Sequence, residues 1–571
     1  MKKYLFFAIA LLGMASCAKD DLGNGNKPNH NGEVEESYIA INLAASDITR
    51  ANDTTPSFQD GEQAERAVSH VDFFFFDGAG NAFPVKVNNP NDGTTTEPGS
   101  DVNDVNHLRA VNISFTVDNT ATGDDISDSS NAVLLLRTYK GQYPSQIVAV
   151  LNWSPADDKA YSLSELHQAV DIQGTFKNSD DVDTNYFVMS NAVYAQGTTP
   201  VYATPLTMEN IKTSATDAMN APVNIYVERV AAKVVVKASE EYDLNKTADY
   251  RPIDGSSTDN TKVYAKILGW DLYRDNSQSA LLKVINGAWT VDQVGFNWND
   301  TPWYRSYWAT SLAAPTNDSI FGTGFNRGEH TYIGENTTGE ESCTKVVIKA
   351  QLVNKNDKPL DLAIWNNAQY VDEADNTNPA YSLRVAVANT LKNTYFAMTT
   401  DGSTTTYTGL APEDLQCVIG GTAEAPNGVA ANEVYFQLSP AGAAKNWYKL
   451  VEGEYVPVAN NINTDENSIS ATNAALKSVP AAVLYQSGMT FYYVDIKHLG
   501  APSTLAEYGI VRNHIYDINI NSIGGYGSPI YTGVKFNEYP AISDQQSFVS
   551  AKINILSWRL VSQSVDIQPQ N

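Results

Sequence analysis

The sequence predicts an all-β protein: two β-sandwich domains in tandem, with few short helices. Three observations carry that expectation. Short apolar runs recur along the chain, and many alternate with polar residues at a period of two, the pattern of half-buried strands. The stretches between them are rich in Gly, Pro, Asn and Asp, the residues that set turns. The chain has 571 residues, more than one core normally organises, so two or more domains are expected. Composition agrees, since 42% apolar and 18% charged residues suit an extracellular β-rich protein better than a cytosolic helical one.

The chain opens with Lys2 and Lys3 ahead of an apolar stretch, 4–13, too short to span a bilayer as a stable helix. Met14-Ala-Ser-Cys17 follows, with small residues leading to a cysteine. That reads as a lipoprotein leader, 1–16, with Cys17 the acylated residue and Met14 in place of the commoner Leu. An ordinary signal peptide with an incidental cysteine is the other reading. Residues 17–36 are polar and Gly- and Asn-rich, a flexible tether. Lys19-Asp20-Asp21 adds charge just behind the cysteine.

The first domain is placed at 37–240, and its first strand at 38–45. Tyr38 heads that strand, and Ile39, Ile41 and Leu43 share one face. So short a strand needs a sheet made by later residues. Directly behind it, 46–56 has loop composition and carries Arg50 followed by Ala51. A protease specific for arginine that reached this bond would disconnect the strand from the rest of the chain. Arg66 and Arg109 are rival sites. Further strands are expected near 67–77, 111–117, 131–137 and 146–152, and a long β stretch at 223–237, one strand or a pair. Ser162 with Glu165 forms a capping box, so a short helix starts there. The polar, Asp-rich run 239–260 is the expected boundary.

The second domain is placed at 260–571. Strand patterns fall at 262–273, 344–353, 491–496 and 514–520, and a hairpin at 447–458 turns at Glu452-Gly453. The last β stretch, 548–567, carries Ile553, Ile555, Trp558, Leu560, Val565 and Ile567 ahead of a short polar end. It can pack on its own domain or reach into a neighbour.

Several function classes are excluded or unsupported. Asp+Glu number 65 against Lys+Arg 38, a formal charge of −27 that repels phosphate backbones, so no nucleic-acid partner is expected. HExxH, GxSxG, a Walker A loop and a strand-borne GxGxxG are all missing, so no enzyme activity, cofactor or metal is expected. Asp181-Val-Asp-Thr-Asn185 starts like a calcium loop, but Tyr186 stands where its glycine belongs and Ala192 where its bidentate acid belongs. Trp298, Trp303 and Trp308 form a packed corner or a carbohydrate platform. His498 and His514 read as structural. Cys343 and Cys417 are candidates for a disulfide in an exported protein, with two buried thiols the other reading.

Several segments together resemble the fimbrillin family of Bacteroidales, the major pilus subunits, and within it the short-fimbria branch. They are the leader at Cys17, the strand ending in Arg50, Val227-Glu-Arg-Val-Ala-Ala-Lys233, Tyr332-Ile-Gly-Glu-Asn-Thr337, Tyr508-Gly-Ile-Val-Arg-Asn-His-Ile-Tyr516 and Ile553-Asn-Ile-Leu-Ser-Trp-Arg559. The resemblance implies two transthyretin-like sandwiches, display on the outer membrane as a lipidated precursor, and a mature form in extracellular fimbriae. It implies cutting between Arg50 and Ala51 by an Arg-directed surface protease. It also implies replacement of the first strand by a donor strand from 548–567 of the next copy. The partners implied are other copies head to tail, tip and anchor pilins, and a host or bacterial surface ligand. The alternatives are a tip or accessory fimbrial adhesin, and a surface glycan-binding lipoprotein that does not polymerise.

Overall fold

The computed structural model describes residues 34–45, 65, 68–85, 104–111, 116–117, 128–153, 155, 159–171, 187–196, 199–250, 260–284, 310–312, 315, 328–371, 380–420, 431–458, 476, 479–498, 507–531 and 548–557. Cys17, Arg50, Ala51, Arg66, Asp181 to Asn185 and the three clustered tryptophans lie outside them.

The fold is all-β, as expected, with short α-helices at Ala215–Met219, Ala380–Leu391 and Pro440–Ala443 among the described residues. Nine strands form one sheet in the first part of the chain. From one edge it runs His107–Val111, His70–Phe76, Gln146–Leu151, Met189–Asn191, Val223–Arg229, Val34–Ala45 (β1), Asp128–Tyr139 and Thr116–Val117, with Thr204–Pro205 beside Gln146–Leu151. Phe73 to Phe76 are all fully buried, so both faces of that strand are covered and its pattern is a continuous apolar run rather than an alternation. One core gathers Ile39, Ile41, Phe73, Phe75, Leu136, Val150 and Ile225. The capping box at Ser162 forms as written: Ser162 N donates to Glu165 Oε2 at 2.7 Å and Glu165 N to Ser162 Oγ at 3.3 Å, at the head of one 3-10 turn, Ser164–His167.

The second part of the chain is a sandwich. A four-stranded sheet, in the order His330–Ile333, Ala232–Lys237, His514–Gly524 and Phe548–Ser557, shares a core with a ten-stranded one that contains Glu241–Tyr250, Asn260–Tyr273, Lys345–Val353 and Met489–Asp495. A third core lies within the second part. Trp365, Leu383, Val387, Phe436 and Trp447 meet there beneath the sheet that holds Tyr395–Asp401, Thr404–Gly409, Asn446–Val451 and Glu454–Pro457. The last two make the expected hairpin. Glu452 and Gly453 both take positive φ, 51° and 89°, the backbone a two-residue type I′ turn requires.

The stretch 223–237 is two strands, and they belong to different sheets. Val223–Arg229 pairs with β1, whereas Ala232–Lys237 pairs in parallel with His514–Gly524. The chain therefore changes sheets at Val230-Ala231, both fully buried. The run 239–260, expected to link domains, includes the strand Glu241–Tyr250, hairpinned to Asn260–Tyr273. Its inward Tyr242 and Leu244 are buried, and its polar look comes from the outward face and from a bulge between Asp243 and Lys246.

Cys343 and Cys417 both remain thiols, neither of them in a disulfide. Cys343 caps a 3-10 turn ahead of Lys345–Val353, and Cys417 lies on Leu415–Ile419 beside the third core. His498 and His514 are buried with their rings 5.1 Å apart, each ring hydrogen-bonded within the fold, His498 Nδ1 to the Tyr516 hydroxyl at 3.0 Å and His514 Nδ1 to the Arg512 carbonyl at 2.7 Å.

Candidate functional site

β1 lies inside its sheet with both edges engaged. On one side it runs antiparallel to Asp128–Tyr139, in register from Val34 opposite Tyr139 to Ala44 opposite Ser129. On the other it runs parallel to Val223–Arg229, from Ile41 opposite Val223 to Ala45 opposite Val227. Ahead of that pairing, Tyr38 exchanges two backbone hydrogen bonds with Lys212, at 2.7 and 2.9 Å. Ile39 and Ile41 are fully buried, and Ala40 between them is buried on the opposite face. Burying an isoleucine contributes about 1.5–3 kcal/mol, so these two hold β1 firmly. Its removal would expose apolar pockets and two rows of backbone donors and acceptors.

The segment behind β1 is pinned where it returns. Glu65 is buried; its carbonyl accepts Nε of Arg229 at 2.8 Å, and its Oε1 accepts Nζ of Lys233 at 2.7 Å and the Tyr332 hydroxyl. Arg229 ends the strand that β1 joins; Lys233 and Tyr332 belong to the other sheet. Both ends of 46–64 are thus fixed along one strand, Ala45 opposite Val227 and Glu65 on Arg229.

The segments around Glu228, Glu335 and Arg512 converge beside this point in a buried polar junction. Arg512 is fully buried and donates Nε to Glu335 Oε1 at 2.6 Å and Nη2 to Glu335 Oε2 at 2.9 Å. Its remaining donors reach the carbonyls of Ala280 and Leu281. Burial opposes the Arg512 charge, but Glu335 beside it prevails and raises its proton affinity above the usual arginine value. Next to this pair, Lys283 Nζ meets Glu228 Oε2 at 3.1 Å, also out of water. Burial pushes the Glu228 carboxyl up and the Lys283 ammonium down, while each partner favours the other's charged form.

Neighbouring residues complete the junction. Asn513, at φ 56°, donates its N–H to the Ala231 carbonyl at 2.8 Å, at the point where the chain changes sheets. The Tyr516 hydroxyl accepts Val511 N at 2.8 Å. Gly334 donates its N–H to Asn276 O at 2.6 Å, and a Cβ there would overlap the Gln278 carbonyl oxygen, so only glycine lets Glu335 sit where it does. Fully paired, such a junction fixes register; half-paired, it leaves a buried charge.

The residues that the sequence marks as functional fall as follows. Tyr38, Ile39, Ile41 and Leu43 are all on β1. Ile553 and Ile555 lie on Phe548–Ser557, which pairs antiparallel with the chain's own His514–Gly524 at the edge of the four-stranded sheet. Trp558, Leu560, Val565 and Ile567 lie outside the described residues. Arg109 sits on a strand and forks onto Asp72 at 3.0 and 2.8 Å. Sequence reasoning does not find Glu65, Glu228 or Lys283. A signal for Lys283 is present: a lone lysine in Ala280-Leu-Leu-Lys-Val-Ile asks for a buried acid. Nothing local marks Glu65. Among the described residues no group of three or more His, Cys, Asp or Glu is placed to hold a metal ion, and no helix is long and apolar enough to cross a membrane.

A sheet with an internal first strand, joined to a sandwich through a charged junction, defines an all-β protein of the sandwich class. Residues 483–564 match the family model of the major fimbrial subunit protein (type IV), fimbrillin, C-terminal. The match covers Met489–Asp495, His514–Gly524 and Phe548–Ser557, and with them Arg512 to Tyr516. Solved structures with which it aligns include a fimbrilin from Porphyromonas gingivalis W83, at 11% identity over 92% of this chain and 98% of that one, with a TM-score of 0.33. The tip fimbrial protein Mfa3 of Porphyromonas gingivalis aligns at 12% identity over 91% and 99%, with a TM-score of 0.24. The fimbrial anchor protein Mfa2 of that species aligns at 8% identity over 92% and 99%, with a TM-score of 0.23. A comparison with curated protein sequences finds no match.

Proposed function

We propose that this fimbrial subunit is a shaft pilin, exported as a lipoprotein acylated at Cys17, cut between Arg50 and Ala51, and polymerised by strand replacement. The observation that carries the reading is the seat of β1. It is the first strand described, it is internal to a sheet, and the stretch of loop composition, 46–56, follows it in the sequence. Once cut there, β1 is held only by non-covalent contacts. A strand from the next copy that restores the same ladder and fills the Ile39 and Ile41 pockets binds by β-augmentation. A head-to-tail contact of this kind does not close, so it builds a fibre.

Because Phe548–Ser557 is paired on its own sheet, the donor is the segment beyond it, 558–571, which carries Trp558, Leu560, Val565 and Ile567. Arg109 is a poor cleavage site, since it is paired with Asp72 on a strand. The test is to treat purified precursor with an Arg-specific protease. A ladder of SDS-resistant multimers that disappears on deletion of 558–571 supports the reading. A trimmed monomer overturns it in favour of a non-polymerising surface lipoprotein. The processing enzyme is an Arg-directed surface protease, and the partners are further copies with tip and anchor pilins.

A further inference from the structure

We propose that Lys283 and Glu228 condense into an intramolecular amide, a covalent cross-link between the strand Val223–Arg229 and the segment that follows Gln278–Ala280. Both side chains are fully buried, and Lys283 Nζ stands 3.1 Å from Glu228 Oε2. The fold, rather than the pair itself, sets that distance. Leu281 and Leu282, fully buried in the first core, donate their N–H groups to the carbonyls of Gln168 and Leu166 at 2.9 and 3.1 Å, which fixes Lys283 behind them. Glu228 lies opposite Ser190 in the ladder with Met189–Asn191, and Ser190 Oγ donates to the Leu281 carbonyl at 2.5 Å.

The site serves the two groups poorly as ions. An ammonium carries three donors. Among the described residues, Glu228 Oε2 is the acceptor that Lys283 Nζ finds, and Glu228 Oε1 is buried without a hydrogen-bond partner. Two charges taken out of water cost more than a single contact returns. Burial therefore favours the neutral form of each, and the charge of Arg512 further disfavours the ammonium. Passage of one proton from Nζ to Oε2 along their hydrogen bond leaves a free amine beside a carboxylic acid. The nitrogen lone pair attacks Cδ and forms the N–C bond. The Cδ–OH bond breaks, and the hydroxyl leaves as water with a proton from the nitrogen. The balance needs no oxidant, reductant or further reactant. The positive charge of Arg512 favours the negative oxygen that develops during the attack, and a fixed pair reacts without the cost of a bimolecular encounter. The neighbouring Arg512–Glu335 pair cannot follow this course, because a guanidinium keeps its charge.

The place of the bond gives it a use. The chain leaves the first sheet at Val230-Ala231, runs through Ala232–Lys237, Glu241–Tyr250 and Asn260–Tyr273, and is back in the first core at Leu281 and Leu282. The amide closes that excursion into a covalent loop and fastens the entrance of the second part to the core of the first, so tension between the two parts crosses a covalent bond.

The test is the intact mass of the full-length precursor carrying Cys17→Ser, unfolded in denaturant, against the mass calculated between its sequenced termini. That chain is lighter than calculated by one molecule of water, and its protease digest contains a branched peptide joining the residues around Glu228 to those around Lys283. Adding Lys283→Met or Glu228→Ala restores the calculated mass. If neither variant folds, the branched peptide decides alone. A mass equal to the calculated one after prolonged incubation of the folded protein overturns the proposal. So does a water loss that maps to other residues or persists in Lys283→Met. The outcome is separable from the proposed function: a cross-linked chain that forms no multimers sinks strand replacement and leaves the amide standing.

Discussion

Arg512 and Glu335 face each other through two parallel N–H···O bonds, 2.6 and 2.9 Å long, with both side chains out of water. Truncating the arginine leaves an uncompensated buried carboxylate. Arg512→Met should lower stability by about 3–5 kcal/mol, read as a shift of the denaturation midpoint. Arg512→Met with Glu335→Leu should recover most of that loss, because replacing both charges by apolar groups is often close to neutral. A single variant within about 0.5 kcal/mol of wild type would contradict the assignment, since only substitutions remote from such features are that mild.

The Ile39 and Ile41 pockets predict a second set of variants. Ile39→Ala or Ile41→Ala should each destabilise the uncut precursor by about 2–5 kcal/mol. The two should combine non-additively, because they lie on the same face of β1, two residues apart. After cutting at Arg50, both should speed the appearance of multimers, since a weaker occupant leaves its place sooner. Thermal melts of the precursor and gel time courses of the cut protein check the two halves separately.

Burial raises both thiols of the second part, Cys343 to about 11 and Cys417 to about 12. Folded values above the ordinary 9.0 mean that both are protonated at about pH 8. The stability linked to them is complete below about pH 9 and is lost as pH rises through about 11 and 12. In a precursor carrying Cys17→Ser, a thiol reagent at about pH 8 should react slowly with the native protein and with two thiols after denaturation. Fast native reaction of either would show that it is exposed.

Gly334→Ala should be among the most damaging single-methyl additions in the chain. The new Cβ meets the Gln278 carbonyl oxygen, a backbone atom that cannot swing aside. The expected cost is about 1–3 kcal/mol or more. Soluble yield and the denaturation midpoint measure it; a variant as stable as wild type would mean that Glu335 tolerates displacement.

Period-two alternation makes the strands legible: Asn260–Tyr273, Lys345–Val353 and the Glu452-Gly453 hairpin lie where the pattern puts them. β1 is legible for the same reason, with Ile39 and Ile41 on one face. Partnership is not. Nothing in 223–237 says that its first half pairs with β1 and its second half with a strand that begins at His514. The segments that hold Glu228, Glu335 and Arg512 carry the family resemblance, but nothing in them marks these side chains as partners; they meet because each supplies a buried charge that needs an opposite one. The third core leaves little trace in the sequence because its strands are short and its helix, Ala380–Leu391, has no acidic residue in its first turn and no basic one in its last. Within the run 239–260 the strand Glu241–Tyr250 is hard to see, because its exposed polar residues give it the composition of a linker.

The mixed pairing of β1, parallel to one neighbour and antiparallel to the other, reaches beyond the single subunit. The two ladders space their hydrogen bonds differently. A substitute threaded in reverse would present each neighbour with the wrong spacing, so the berth reads orientation as well as side chains. Any filament built this way inherits an arrow: every joint points the same way, and its two extremities are chemically unlike.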